Sequence, residues 1–203
     1  MNPQIFSTAA ILIASFFLSG CMMDDILAPR EDPTQFYVLK SAAQPEKIDG
    51  MKDRALNVSL VRIPSYMTRN QIVTAQDGTS RIEISDIHRW PETPIDSFTR
   101  VVASNVARIT GSDEIYTYPS LALGIGAPEL RVHVIECMGQ PGGELHFCAR
   151  WELLDNNSKN AKRKTDMFET RIPVGNSYDA YVASIEKALY ELSLDISKGL
   201  KEF

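Results

Sequence analysis

The sequence predicts an α+β domain, a largely antiparallel sheet with two main helices packed on one face. Three observations carry this. Apolar and polar residues alternate with a period of two through much of residues 35–172, as half-buried strands require. Two stretches alone, one midway and one at the C-terminal end, switch to a helical period. Strands also come in runs instead of alternating one for one with helices, which argues against a parallel βαβ sheet.

Each element has its own reason. Phe36-Tyr37-Val38-Leu39 is a short apolar run, and Leu56 to Ile63 alternates until Pro64 stops it. Gln71 to Ser85 reads as a hairpin turning at Asp77-Gly78. Pro94 opens the first helix, with Asp96 or Ser97 as its cap. Phe98, Val101, Val102, Asn105 and Ile109 then share one face, and Gly111 ends it. Strands follow at Ile115 to Tyr118, Leu130 to Cys137, Leu145 to Leu154 and Lys164 to Ile172. The last helix is capped by Asn176 or Ser177 and carries the stripe Tyr181, Ile185, Leu189, Leu192 and Ile196.

The N-terminal region is different in kind. The apolar run from Ile5 to Leu18 is shorter than the roughly 20 residues that cross a bilayer, and matches the h-region of a secretory signal. Leu18-Ser19-Gly20-Cys21 resembles the lipobox of bacterial lipoproteins, although Met1-Asn2-Pro3-Gln4 lacks the usual positive charge. The resemblance implies cleavage before Cys21, a diacylglyceryl group on its thiol and an acyl chain on its amine. Several chains anchor stably where one holds only marginally. In such lipoproteins an Asp after the cysteine retains the protein in the inner membrane. Met22 stands there, so the expected location is the periplasmic face of the outer membrane. The organisation is therefore a lipoprotein signal peptide at 1–20, a lipidated N-terminus and acidic, Pro-containing tether at 21–34, and one domain at 35–203.

Composition excludes other classes. A net charge of −5 and the absence of a basic block interleaved with aromatics argue against nucleic acid as a partner. Lys162-Arg163-Lys164 is too short for that role and reads as a solvated strand edge. Leu121 to Leu130 is a Gly-punctuated apolar loop, either a lipid or neighbour contact or a loop tucked against the sheet.

The segment from Arg131 to Leu154 gives the sharpest expectation. Leu145, Phe147, Ala149, Trp151 and Leu153 form an apolar face, opposite Glu144, His146, Cys148, Arg150 and Glu152. A turn centred between Gly142 and Gly143 sets Cys137 opposite Cys148 and keeps Val132 and Val134 on the apolar face. Directly opposed residues are close enough for a disulfide, and an exported chain meets an oxidising compartment. A Cys137–Cys148 bridge is expected, a staple of about 2–3 kcal/mol. A three-residue loop around Pro141 would offset the pair. No metal site is expected: His146, Cys137 and Cys148 share a face, but His133 lies four residues from Cys137, about 13 Å along a strand.

Nor does the chain present catalytic chemistry. It has three histidines, and no G-x-S-x-G or H-E-x-x-H surrounds a candidate nucleophile or base. His88 reads as a hydrogen-bonding histidine, and alternating strand polarity accounts for Glu83 and Asp86. The chain is not expected to be an enzyme.

In residues 62–108, Pro64 ends a strand and is followed by Tyr66, Arg69 and Gln71-Ile72-Val73. A polar hairpin at Asp77-Gly78 leads to Arg89-Trp90 and then to Pro94 at the head of an amphipathic helix. This pattern resembles the ABC-transport auxiliary lipoproteins of the PqiC type, and Tyr37-Val38-Leu39 after a lipobox also fits. In two places the chain departs from it. Pro91 to Phe98 replaces an acid- and alanine-rich segment, and the cysteine hairpin is not part of the pattern. The resemblance implies a non-enzymatic partner of a periplasm-spanning MCE-domain protein, in a system that moves lipids between membranes and maintains envelope integrity. It further implies a docking or gating element at the outer membrane, assembled into a homo-oligomeric ring. No cofactor is implied beyond the lipid on Cys21. Tyr66, Met67, Arg69 and Trp90 are the candidate partner or oligomer contacts, since interfaces favour such residues; alternatively, Tyr66 and Trp90 close the core over the helix. The competing function is a free-standing periplasmic lipoprotein that binds a small apolar ligand in a cavity of several hundred Å³.

Overall fold

The computed structural model describes residues 32–76, 78–118, 126–155 and 161–203. The elements in order are β1 (Gln35–Phe36), β2 (Leu56–Val58), a 3-10 turn (Ser65–Met67), β3 (Gln71–Ala75), β4 (Ile82–Arg89) and α1 (Pro94–Thr110). After these come β5 (Ile115–Thr117), β6 (Glu129–Met138), β7 (Glu144–Asp155), β8 (Lys162–Pro173) and α2 (Tyr178–Glu202). The fold is α+β, with two sheets where the patterning suggested one: β1-β4-β3 and β5-β2-β6-β7-β8. The long neighbours β3-β4, β6-β7 and β7-β8 are antiparallel. β1 runs parallel to β4, and β2 lies between β5 and β6, parallel to both.

The alternation in β7 decides where the core sits. Leu145, Phe147, Ala149, Trp151 and Leu153 are all 0–1% exposed. They form one cluster with Phe98, Val102 and Val106 of α1 and with Leu189, Leu192 and Ile196 of α2. Burying each large apolar side chain contributes about 1.5–3 kcal/mol. The helices pack on each other, and α2 also covers β7 and β8.

Both helices start on side-chain caps. At α1 the cap is Thr93, one turn ahead of the expected Asp96 or Ser97. Its Oγ1 accepts the Asp96 N–H at 3.2 Å and donates to Asp96 Oδ2 at 2.5 Å, a reciprocal arrangement that fixes the first turn. Gly111 at φ +70° ends α1, a left-handed position that glycine adopts without strain. Ser177 caps α2, its Oγ accepting the Ala180 N–H at 3.1 Å.

An irregular strap between β1 and β2 crosses both helices, and several of its backbone polar groups are satisfied by them. The Lys40 N–H donates to Glu186 Oε1 at 2.8 Å and the Ala42 N–H to Asn105 Oδ1 at 2.9 Å. The Glu46 N–H donates to the Tyr190 hydroxyl at 3.0 Å and the Ile48 N–H to Ile109 O at 2.9 Å. Arg100 and Arg108 donate back to Leu39 O and Ala42 O at 3.1 and 3.2 Å. Thr34–Phe203 form one compact unit.

Candidate docking site

Pro64 starts a single 3-10 turn in which the Met67 N–H donates to Pro64 O at 2.9 Å and the Thr68 N–H to Ser65 O at 3.2 Å. Arg69 Nε donates to Tyr66 O at 3.2 Å. The Trp90 N–H donates to Asn70 O at 2.6 Å, closing the end of β4 onto the residue that leads into β3. The turn and the end of β4 thus gather the four predicted contact residues, with different fates. Met67 and Trp90 are 8% and 6% exposed and belong to the core. With Val73, Tyr181 and Ile185 they leave a space of about 10 Å³, no more than one water needs. Their burial removes them from the surface set, because the apolar face of α2 claims them first. Tyr66 is half-buried and Arg69 exposed, so the accessible part of the segment rests on those two.

Burial pushes the Tyr66 phenol up to about 12, with Cys137 and Glu136 adding to the shift and a hydrogen bond from the Cys137 backbone opposing it. Tyr66 is therefore a neutral hydrogen-bonding group. Behind it the Tyr181 hydroxyl donates to Val73 O at 3.1 Å, tying α2 to β3. His88 stacks on Tyr178, ring centroids 3.6 Å apart, with Nδ1 2.8 Å from Ser85 Oγ. It is a packed, hydrogen-bonded ring.

The cysteine pairing is corrected by the register. Val134 lies opposite Ala149, but Glu136 lies opposite Cys148 and Cys137 opposite Phe147. Ile135 is an extra residue between these pairs, a bulge that turns over the side chains beyond it. Cys137 therefore points into the core, 2% exposed, while Cys148 lies half-buried on the outer face. The two thiols are free and on opposite sides of the sheet, so no disulfide can join them. Burial first, then Glu136, pushes the Cys137 thiol up to about 12.

The same bulge brings Glu136 to the outer face beside His146. His146 Nδ1 lies 2.9 Å from Glu136 Oε1, and Nε2 lies 2.9 Å from Glu169 Oε1, so one imidazole links β6, β7 and β8. Burial disfavours the charged ring, yet the hydrogen bonds to Glu169 and Glu136 prevail and raise its pKa against the opposing charge of Arg171. Sequence reading missed this clamp because it depends on the bulge; the alternating charges of β7 were its one visible sign. Among the described residues no group of His, Cys, Asp or Glu could hold a metal ion, and no helix is long and apolar enough to cross a membrane. The signal segment, Cys21, Asp77 and residues 121–125 of the apolar loop lie outside the described residues.

No curated protein matches the chain by sequence. Among solved structures it is similar to the crystal structure of an uncharacterized protein, with a TM-score of 0.66 at 18% identity over 82% of this chain and 98% of the other. It is also similar to protein XCC0632 from Xanthomonas campestris, with a TM-score of 0.63 at 12% identity over 80% and 92%. Such identities speak to the fold alone. A family model described as the ABC-type transport auxiliary lipoprotein component matches residues 37–197, a span that opens at the strap, includes the Pro64–Trp90 corner and closes in the last turns of α2. With most of its length covered and the same fold in its structural relatives, the chain belongs to the ABC-type transport auxiliary lipoprotein component family.

Proposed function

We propose that this chain is a non-enzymatic lipoprotein, anchored through acyl chains on Cys21 to the periplasmic face of the outer membrane, that docks an MCE-domain protein of an intermembrane lipid transport system. The observation that carries this reading is the family match over residues 37–197, joined to the lipobox at Leu18 to Cys21. A transport auxiliary component works by contact. The 3-10 turn is suited to that, because buried Met67 and Trp90 fix a corner from which Arg69 and the edge of Tyr66 face outward. Docking in copies around a tubular partner would give the homo-oligomeric ring that the resemblance implies, and maintain envelope integrity by closing the lipid path at its outer end.

The test is affinity capture of the full-length lipoprotein from crosslinked envelopes. An MCE-domain protein should be recovered, and Arg69→Glu should reduce its recovery about tenfold while leaving the chain in the membrane fraction. Recovery of a monomer carrying bound lipid and no MCE partner would instead favour a free-standing binder and sink this reading.

A further inference from the structure

The outer face of the five-stranded sheet carries an open groove of about 620 Å³, within the range of small-molecule sites. Arg62, Arg131, Arg150 and Arg163 line it, together with His133. The register explains why they converge. Arg62 bridges His133 in parallel, and His133 lies opposite Arg150. These three share one row, with Arg62 and Arg150 two backbone spacings apart, about 10 Å at ~4.8 Å per spacing.

The four arginines are not equivalent. Arg131 is held by Glu129 through hydrogen bonds of 3.0 and 2.8 Å, and Arg163 pairs with Glu152. Among the described residues Arg62 and Arg150 meet no carboxylate; Arg150 Nε donates to Met167 Sδ at 3.4 Å. Arg62 and Arg150 thus leave positive charge with no internal carboxylate beside it, in a chain of net charge −5. Folding gains nothing from that placement, whereas a bound anion would offset it. Beside them Leu60 and Tyr118 stand on the groove wall, 41% and 58% exposed. A simple inorganic anion has no use for that apolar wall. A compact groove also fits one headgroup better than a length of acidic polypeptide.

We propose that this groove binds an anionic amphiphile. The guanidinium groups of Arg62 and Arg150 take the phosphate of its headgroup through charge-assisted hydrogen bonds, and Leu60 and Tyr118 meet the start of its apolar tail. The groove is separate from Tyr66 and Trp90, and its chemistry does not depend on which protein the chain docks.

The test is isothermal titration of the mature chain carrying Cys21→Ser, so that its own acyl chains do not compete. The titrants are dihexanoyl phosphatidylglycerol below its micelle concentration, dihexanoyl phosphatidylcholine, inorganic phosphate and a glutamate-rich peptide. Phosphatidylglycerol should bind at least about tenfold more tightly than phosphatidylcholine or phosphate. Arg62→Gln with Arg150→Gln should abolish that preference with an unchanged circular dichroism spectrum, both positions being exposed. Leu60→Ser should weaken the lipid and leave phosphate unaffected. Equal binding of the two lipids, phosphate binding as tightly as phosphatidylglycerol, capture of the peptide but no lipid, or an undiminished preference in the double variant would each overturn the proposal.

Discussion

Trp151 occupies the space where a side chain at Gly199 would begin. A Cβ at Gly199 would overlap one atom of the indole ring and crowd two more, while Trp151 Nε1 donates to Asp195 Oδ2 at 2.7 Å, one turn back along α2. The ring is 1% exposed and joins the middle of β7 to the last turns of the helix. Gly199→Ala should therefore lower stability by about 1–3 kcal/mol through overpacking. Urea unfolding followed by circular dichroism checks this; an unchanged midpoint would mean that the helix can shift away from the ring.

The imidazole clamp gives a pH dependence of known sign. The folded-state pKa of His146 is raised above its ordinary 6.5, so its contribution is fully present below that value and is lost as pH rises through the higher folded value. Thermal midpoints recorded from pH 5 to pH 9 should fall across that window in the wild type. His146→Gln should flatten the fall, and a profile identical in both chains would show that the clamp contributes nothing.

The reach of a thiol reagent follows from the bulge. Folded protein carrying Cys21→Ser should take one maleimide, at half-buried Cys148, and unfolded protein two, because Cys137 lies in the core with its thiol pushed up to about 12. Two labels on folded chain, gained only after reduction, would restore the disulfide. Deleting Ile135 removes only the unpaired residue and should leave Glu136 opposite Cys148 and Cys137 opposite Phe147, so the folded deletion variant should also take one label.

Thr93→Ala removes both halves of the reciprocal cap and should cost about 0.5–2 kcal/mol, whereas Ser97→Ala, at the position the sequence suggested, should leave the α1 cap intact. Parallel denaturation curves separate the two.

These cases also show what was legible in the sequence. The inner face of β7, the stripe of α2 and the Gly111 stop follow from periodicity and local turn chemistry, which a single chain carries in its own letters. The parallel pairing of β2 with β5 and β6 does not, because the partners lie far apart in sequence and no tight turn announces them. Nor does the bulge: an extra residue at Ile135 leaves the alternation on each side intact and inverts one side relative to the other. From that single offset follow both the lost disulfide and the unforeseen His146 clamp. In the candidate site the residue types of Tyr66, Met67, Arg69 and Trp90 were informative. Their division into two that hold and two that face outward depended on α2, which lies far along the chain from them.

The strap across the two helices has a mechanical consequence. A pull applied at Thr34 would load the short pairing of β1 with β4 first and then the Lys40, Ala42, Glu46 and Ile48 anchor points in succession, since each is a separate bond to a different partner along the helices. Such a seam would part bond by bond, so that the five-stranded sheet is the last element to bear the load.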